Sequence, residues 1–248
     1  MRTSRTLAAG LVFCMLSCGA PAAEFEKERV ELETSDGVKI AGYFVKGSGE
    51  KAPAVVLLHM LARSKSDWDS ILGEHLLPET RFSYLAIDLR GHGESTAKNG
   101  ERISVGSFGE ADFRGMTEDV AAAVDYLSGR SDVDGDRVAV VGASIGANVA
   151  INYAAQDEKI KAVALLSAAL DYRGVKTEEA VKRYGDRPLF LAASAEDLPS
   201  GKDTGTLAMA ARGKKVVEIF RGNLHGTRMF AATQVGDKLA EFLNTFLE

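Results

Sequence analysis

Ser144 stands at the centre of Gly142-Ala143-Ser144-Ile145-Gly146, directly behind the apolar run Val138-Ala139-Val140-Val141 and ahead of the helix-forming stretch Ala147 to Ala155. A strand feeding Gly-x-Ser-x-Gly and then a helix is the setting of a nucleophile elbow. The turn is so tight that the serine is held in strained φ/ψ and projects off the sheet. The residues two before and two after it must be small or they collide across the turn, and Gly142 and Gly146 meet that need. The same turn sets the N–H of Ile145 at a helix N-terminus, where it can donate to a developing oxyanion. Five common residues are a weak signal alone, so the rest of the chain must supply the partners.

A serine hydroxyl is a poor nucleophile at neutral pH. It needs a base, and the base needs an orienting acid. The chain has four histidines, His59, His75, His92 and His225. His225 lies in Asn223-Leu224-His225-Gly226, just past an expected strand ending at Phe220. Loops leaving the C-terminal ends of parallel strands are where ligand sites gather in such sheets. A surface-loop histidine is the plain alternative, and the order Ser…Asp…His along the chain favours the base. Asp197, in Ser194-Ala195-Glu196-Asp197 after a strand ending at Ala193, is the candidate acid. Glu196 and Asp171 are its rivals, and Asp203 reads as a helix cap. A second oxyanion donor is expected from the N–H of Leu61, in His59-Met60-Leu61 at the end of a buried strand. His59 itself reads as structural, bonding loop carbonyls. Asp88 and His92, in Asp88-Leu89-Arg90-Gly91-His92-Gly93-Glu94-Ser95, look like a second acid–base pair but read better as a cluster shaping a loop beside the site.

These side chains must be carried by alternating strands and helices. Arg29 to Thr34 and Val38 to Val45 flank Ser35-Asp36-Gly37, a hairpin signal. Ala54 to His59 is a continuous apolar run, as expected of a buried parallel strand. A helix is expected from Asp67 to about Leu77, stopping before Pro78, and a strand from Phe82 to Asp88. Residues 89–113 are Gly-rich and polar and read as loop. Met116 to Leu127 has helical periodicity with Thr117 as its cap. After the elbow come a strand (Ala162 to Leu166), a helix (Thr177 to Tyr184) and a strand (Pro188 to Ala193). A helix (Thr204 to Arg212), a strand (Val216 to Phe220) and a helix (Val235 to Phe246) close the chain. A hairpin followed by repeated βα units predicts a mostly parallel sheet wrapped by helices. The stretch from Ser167 to Arg187 is too short for a large helical cap.

Length and composition agree with one such domain. The chain has 248 residues, 46% hydrophobic and 26% charged, with a net charge of −5. Nothing in that balance favours binding to nucleic acid or to an anionic membrane surface. Residues 1–23 differ: Arg2 and Arg5 precede an apolar run from Leu7 to Leu16, and Ala20-Pro21-Ala22 supplies the small residues of a cleavage site. This is the pattern of a bacterial secretory signal, with 24–248 as the mature domain. The apolar run is too short for a permanent span. Both cysteines, Cys14 and Cys18, lie inside this segment, so cleavage after Ala22 or Ala23 leaves no thiol and no disulfide framework. Met15-Leu16-Ser17-Cys18 is similar to a lipoprotein box with Met at its first position. Cleavage before Cys18 would give a lipid-anchored protein instead of a periplasmic or secreted one.

Taken together, His59-Met60-Leu61, Asp88 to Ser95, Gly142 to Gly146, Asp197 and His225-Gly226 resemble, in order, the motifs of the α/β-hydrolase superfamily, in its branch of small bacterial serine hydrolases without a large cap. The resemblance covers nearly all of the expected mature chain. It implies an eight-stranded, mainly parallel sheet and a Ser144–His225–Asp197 triad. One departure stands out: the family usually has His-Gly where this chain has His59-Met60, and a Cβ and thioether there would narrow the oxyanion pocket or tilt its loop. The expected activity is hydrolysis of carboxylic esters of short or medium acyl groups through an acyl-enzyme, on a small-molecule ester. A peptidase, thioesterase or lactone hydrolase could use the same triad, and an exported binding protein could keep the motifs without turnover. Asp132-Val133-Asp134-Gly135-Asp136 resembles part of a calcium loop but lacks the EF-hand spacing and terminal Glu, and reads as the turn before a strand. There is no zinc spacing, phosphate loop or dinucleotide fingerprint, so no metal or cofactor is expected. Oligomeric state is not legible from the residues.

Overall fold

The computed structural model describes residues 25–248; the expected export signal and the Cys18 site lie outside the described residues. The chain runs β1 (Glu28–Glu33), β2 (Val38–Val45), β3 (Ala52–Leu58), a helical stretch containing α1 (Asp69–Ile71), then β4 (Ser83–Ile87), β5 (Ala97–Lys98), β6 (Glu101–Arg102) and α2 (Glu110–Ser128). Next come β7 (Val133–Ala143), α3 (Ile145–Ala154), β8 (Ile160–Leu166), β9 (Asp171–Tyr172), β10 (Val175–Lys176) and α4 (Glu178–Tyr184). The chain closes with β11 (Leu189–Ser194), α5 (Ser200–Ala210), β12 (Lys215–Phe220) and α6 (Val235–Leu247).

β1 and β2 form the expected hairpin, and Gly37 closes its turn at φ 82, where a side chain would be strained. From β2 the sheet runs β4, β3, β7, β8, β11, β12. β2 is antiparallel to β1, β4 and β5, while β4, β3, β7, β8, β11 and β12 are mutually parallel. These are the eight strands that the resemblance implies. The two-residue strands β5 and β6 extend the sheet to ten as a ribbon off β2.

The parallel strands read as unbroken apolar runs because helices cover both of their faces. Alternate residues serve opposite layers. Val56 and Leu58 join the core under α2, α3, α4 and α5, whereas Val55 and Leu57 join the one under Trp68, Ile71 and α6. Among the described residues no helix is long and apolar enough to cross a membrane.

Three local expectations are corrected. Helix α2 starts at Glu110, not near Met116, because buried Phe113 continues the stripe of Met116, Val120 and Val124 one turn earlier. The Asp112 carboxylate accepts the Gly109 amide at 2.9 Å and caps that end, and Thr117 lies mid-helix, its hydroxyl bonding back to the Arg114 carbonyl. The aspartate-rich stretch is not wholly a turn: β7 begins at Val133, and an irregular register carries pairing from Ala52↔Val133 to Ala54↔Val138. Asp203 lies inside α5 rather than at its cap, and its carboxylate accepts the Leu170 amide at 2.9 Å.

Candidate active site

The core strands β3, β7, β8 and β11 deliver their C-terminal ends to one edge of the sheet. There β7 passes into α3 through Ser144, whose φ of 55 and ψ of −120 lie outside the regions open to ordinary residues. The strain is held from both sides. The Ser144 amide donates to the Leu166 carbonyl at 2.8 Å, extending the pairing with β8, and its carbonyl accepts the Ala147 amide at 2.9 Å. A Cβ at Gly142 would strike the Gly146 carbonyl and come within 2.6 Å of the Ala147 nitrogen; one at Gly146 would lie 2.7 Å from the carbonyl oxygens of Leu58 and His59. Both glycines are therefore needed for the contact of α3 with β7 and β3. Ser144 is only 3% exposed.

His225 follows β12 and lies in extended backbone, at φ −105 and ψ 130. A Cβ at Gly226, which has φ 55, would lie 3.3 Å from the Ala143 Cβ, so the histidine loop presses directly on the elbow. The His225 Nδ1 lies 2.8 and 3.0 Å from the two carboxylate oxygens of Asp197. An ionised carboxylate only accepts, so Nδ1 carries the proton and Nε2 keeps its lone pair. The two side chains retain 34% and 11% exposure. The hydrogen bonds of the described residues include none between Ser144 and His225; such a contact often tightens only with substrate bound.

The rival acids are placed elsewhere. Asp171 is exposed in the β9–β10 hairpin, where its carboxylate accepts the Gly174 amide at 2.9 Å. Glu196 is exposed beside Asp197, and its amide donates to the Gly222 carbonyl.

The second expected donor sits in a tight turn after β3. The Arg63 amide donates to the Met60 carbonyl at 3.2 Å, with Ala62 at φ 58. This leaves the Leu61 amide with no acceptor among the described residues. The Ile145 amide opens α3 and lacks a partner one turn earlier in that helix. Buried His59 braces the turn. Its Nε2 accepts the Leu89 amide at 3.0 Å, so its Nδ1 carries the proton and donates to the Met60 carbonyl at 2.7 Å. Burial lowers its pKa to about 4 and keeps the ring neutral. The Met60 thioether touches the histidine loop: the Thr227 hydroxyl is 3.7 Å from Sδ, and a Cβ at Gly226 would meet it at 2.5 Å.

Asp88 and His92 do not pair with each other. Buried Asp88 accepts the Lys65 amide and ammonium at 2.7 Å each and the Glu94 amide at 2.9 Å. His92 lies 3.0 Å from the Arg90 carbonyl through Nδ1 and edge-on to His59, 5.0 Å between ring centres. Arg90 bonds Asp119 and Asp36 at 2.7–2.9 Å. These bonds tie the loop after β4 to the β1–β2 turn, α2 and the segment after β3.

Four polar residues escaped the sequence reading. Ser167 accepts the Gly226 amide, and the Ser194 hydroxyl donates to the Leu224 carbonyl. Asn148 braces the loop after β8 through Ala169 and Val175. Asp67 accepts Arg63 and faces the Thr227 hydroxyl at 3.4 Å. The available signal was a polar residue at the end of an apolar strand, in Leu165-Leu166-Ser167 and Ala192-Ala193-Ser194. A polar cavity of about 330 Å³ flanks the histidine loop, with Arg63, Ser66, Asp67, Thr227 and Arg228 in its walls. Among the described residues no cluster of His, Cys, Asp or Glu is arranged to hold a metal ion.

Comparison with known proteins agrees with this architecture. A Mycobacterium tuberculosis protein without assigned function is 35% identical over 128 residues, 51% of this chain and 41% of that protein; the match thus spans less than half of that relative. The Pyrococcus furiosus esterase Pf2001 superposes with a TM-score of 0.70 at 20% identity, over 90% of this chain and 94% of its own. A dienelactone hydrolase from Anabaena variabilis gives 0.69 at 19% identity, over 91% and 100%. At such identities these structures speak for the fold alone. Residues 53–192 match the family described as the alpha/beta hydrolase fold, and with the strand order and the elbow above, the chain belongs to that hydrolase family.

Proposed function

We propose that this protein is a serine hydrolase that cleaves carboxylic esters through an acyl-enzyme. The observation that carries the reading is the 2.8 Å contact of Asp197 with the His225 Nδ1, on a loop pressed against the strained Ser144 elbow. With the proton on Nδ1, Nε2 is free to take the Ser144 proton as Oγ attacks the ester carbonyl. The tetrahedral oxyanion then draws on the amides of Ile145 and Leu61. Collapse expels the alcohol, protonated by His225, and water repeats the sequence on the acyl-enzyme. Asp197 holds the tautomer and stabilises the imidazolium. Peptide, thioester and lactone cleavage need the same groups, so the leaving group is an outcome of the assay.

The test is labelling of folded protein with a fluorophosphonate, followed by a screen of ester chain lengths. A covalent adduct on Ser144 and turnover of short or medium esters are expected. Ser144→Ala should lower turnover by on the order of 10³ or more without loss of folding. Retention of a tenth of native turnover would end the assignment, and failure to label would favour a binding protein. The basic start, apolar run and Ala20-Pro21-Ala22 support export to the periplasm or beyond, as a free protein rather than one anchored through Cys18.

A further inference from the structure

His225 is useful only if its ring stays between Asp197 and Ser144. The ring's position depends on the two peptide groups that flank its Cα. Each of them is held by a serine hydroxyl from the end of a different core strand. On the N-terminal side, Ser194 Oγ donates to the Leu224 carbonyl at 2.7 Å. On the C-terminal side, the Gly226 amide donates to Ser167 Oγ at 2.9 Å. Ser194 ends β11 and Ser167 follows β8, both buried.

Ser167 is built for this contact. Its φ is 54, a conformation costly for a residue with a Cβ. Three bonds, this contact among them, hold it there or depend on it. Its amide donates to the Ala192 carbonyl at 2.7 Å, its carbonyl accepts the Ser200 hydroxyl at 3.1 Å, and its hydroxyl meets Gly226. Ser194 is tied to the acid as well as to the base. Its carbonyl accepts the Asp197 amide at 3.1 Å while its hydroxyl grips Leu224. One residue therefore sets the spacing between the Asp197 turn and the His225 loop.

We propose that Ser167 and Ser194 form a hydroxyl clamp that positions His225 against Asp197. The clamp rests on the triad reading above. It predicts that removing either hydroxyl costs rate rather than substrate affinity, because the nucleophile and the substrate pocket are untouched while the base drifts. A misplacement approaching 1 Å costs on the order of 10²-fold in rate.

The variants are Ser194→Ala, Ser194→Thr and Ser167→Gly. Glycine at 167 deletes the hydroxyl and relieves the positive φ, so folding is not put at risk by strain. Threonine at 194 keeps a hydroxyl in a strand. Three quantities are measured: the rate of fluorophosphonate labelling of Ser144, kcat and KM on one ester, and the downfield proton resonance of the His225 Nδ1–H. Ser194→Ala and Ser167→Gly should label about tenfold to a hundredfold more slowly, lose kcat in proportion at constant KM, and broaden the Nδ1–H signal. Ser194→Thr should recover most of the rate. In an Asp197→Asn background the serine changes should cost much less, since the base has already lost its partner. Native labelling and a sharp Nδ1–H signal in both hydroxyl-free variants would overturn the clamp and leave the triad standing. Failure of the unaltered protein to label at Ser144 would instead strike the triad itself. A loss that is fully additive with Asp197→Asn would also reject the clamp.

Discussion

Gly146→Ala tests whether the elbow and the Leu61 turn share one wall. The added Cβ would lie 2.7 Å from the carbonyl oxygens of both Leu58 and His59, and 2.9 Å from the Leu58 carbonyl carbon. All three are main-chain atoms at the end of β3, so no side chain can swing aside. Comfortable non-bonded separations are about 3.5 Å, so α3 and β3 must part by roughly 0.6–0.8 Å. Overpacking of this kind costs about 1–3 kcal/mol of stability. The kinetic cost falls on the oxyanion. Ile145 stands beside the substituted residue and Leu61 stands just beyond His59, so the displacement should open the gap between the two proposed donor amides. Loss of one donor outright costs about 10²–10³ in rate; a displacement of this size should lower kcat about tenfold to a hundredfold. The assay is kcat on a p-nitrophenyl ester beside the urea midpoint of each protein. Gly205→Ala is the control: nothing lies within 4 Å of a Cβ there, inside α5, so it should leave kcat alone and add about 0.5–1 kcal/mol. A Gly146→Ala protein with kcat within about threefold of native and an unchanged midpoint would refute the argument.

Asp197→Asn should lower kcat steeply because the amide favours the wrong imidazole tautomer, while Asp171→Asn and Glu196→Gln should be mild; the reverse pattern in steady-state kinetics would move the acid. His59 contributes a pH-dependent term to stability. Its folded pKa is depressed to about 4, below its ordinary value, so the unfolded chain binds the extra proton first as pH falls. The contribution is present above about pH 6.5 and lost progressively toward pH 4. Urea midpoints should therefore fall more steeply over that window in the native protein than in His59→Gln, and parallel curves would count against a neutral buried ring. The intact mass of protein from its native host should show a chain beginning near Ala23 or Glu24; a diacylglyceryl group on Cys18 in the membrane fraction would replace export as a free protein by anchoring, each buried CH₂ contributing roughly 0.8 kcal/mol.

Much of the fold was legible because it depends on local rules. Apolar runs such as Ala54 to Leu58 and Val138 to Val141 have the composition of strands buried on both faces. Gly142 and Gly146 mark a turn that only small residues allow. The start of α2 was misplaced because the polar residues of its first turn, Glu110 and Asp112, mask the periodicity that Phe113 begins. The ribbon of β5 and β6 was not legible at all, since two-residue strands exist only through their pairing with β2.

The site divides in the same way. The sequence by itself determined the residue types, their chain order and their places at strand ends, because those follow from periodicity and turn chemistry. It put Asp197 ahead of Asp171 and Glu196 on its place before the histidine loop, but all three are carboxylates that follow core strands, and local sequence does not show which one meets the base. Only the tertiary structure shows that contact. Asp171 is spent on its own hairpin, Glu196 is left exposed, and Asp197 alone of the three meets the His225 Nδ1. The neighbours of the Met60 thioether, Thr227 and Gly226, are likewise visible only in three dimensions. The serine hydroxyls that hold the histidine loop belong to the same class. Which groups meet depends on how β8, β11 and β12 align in three dimensions, and a side chain's partner across that alignment leaves no trace in its own local sequence.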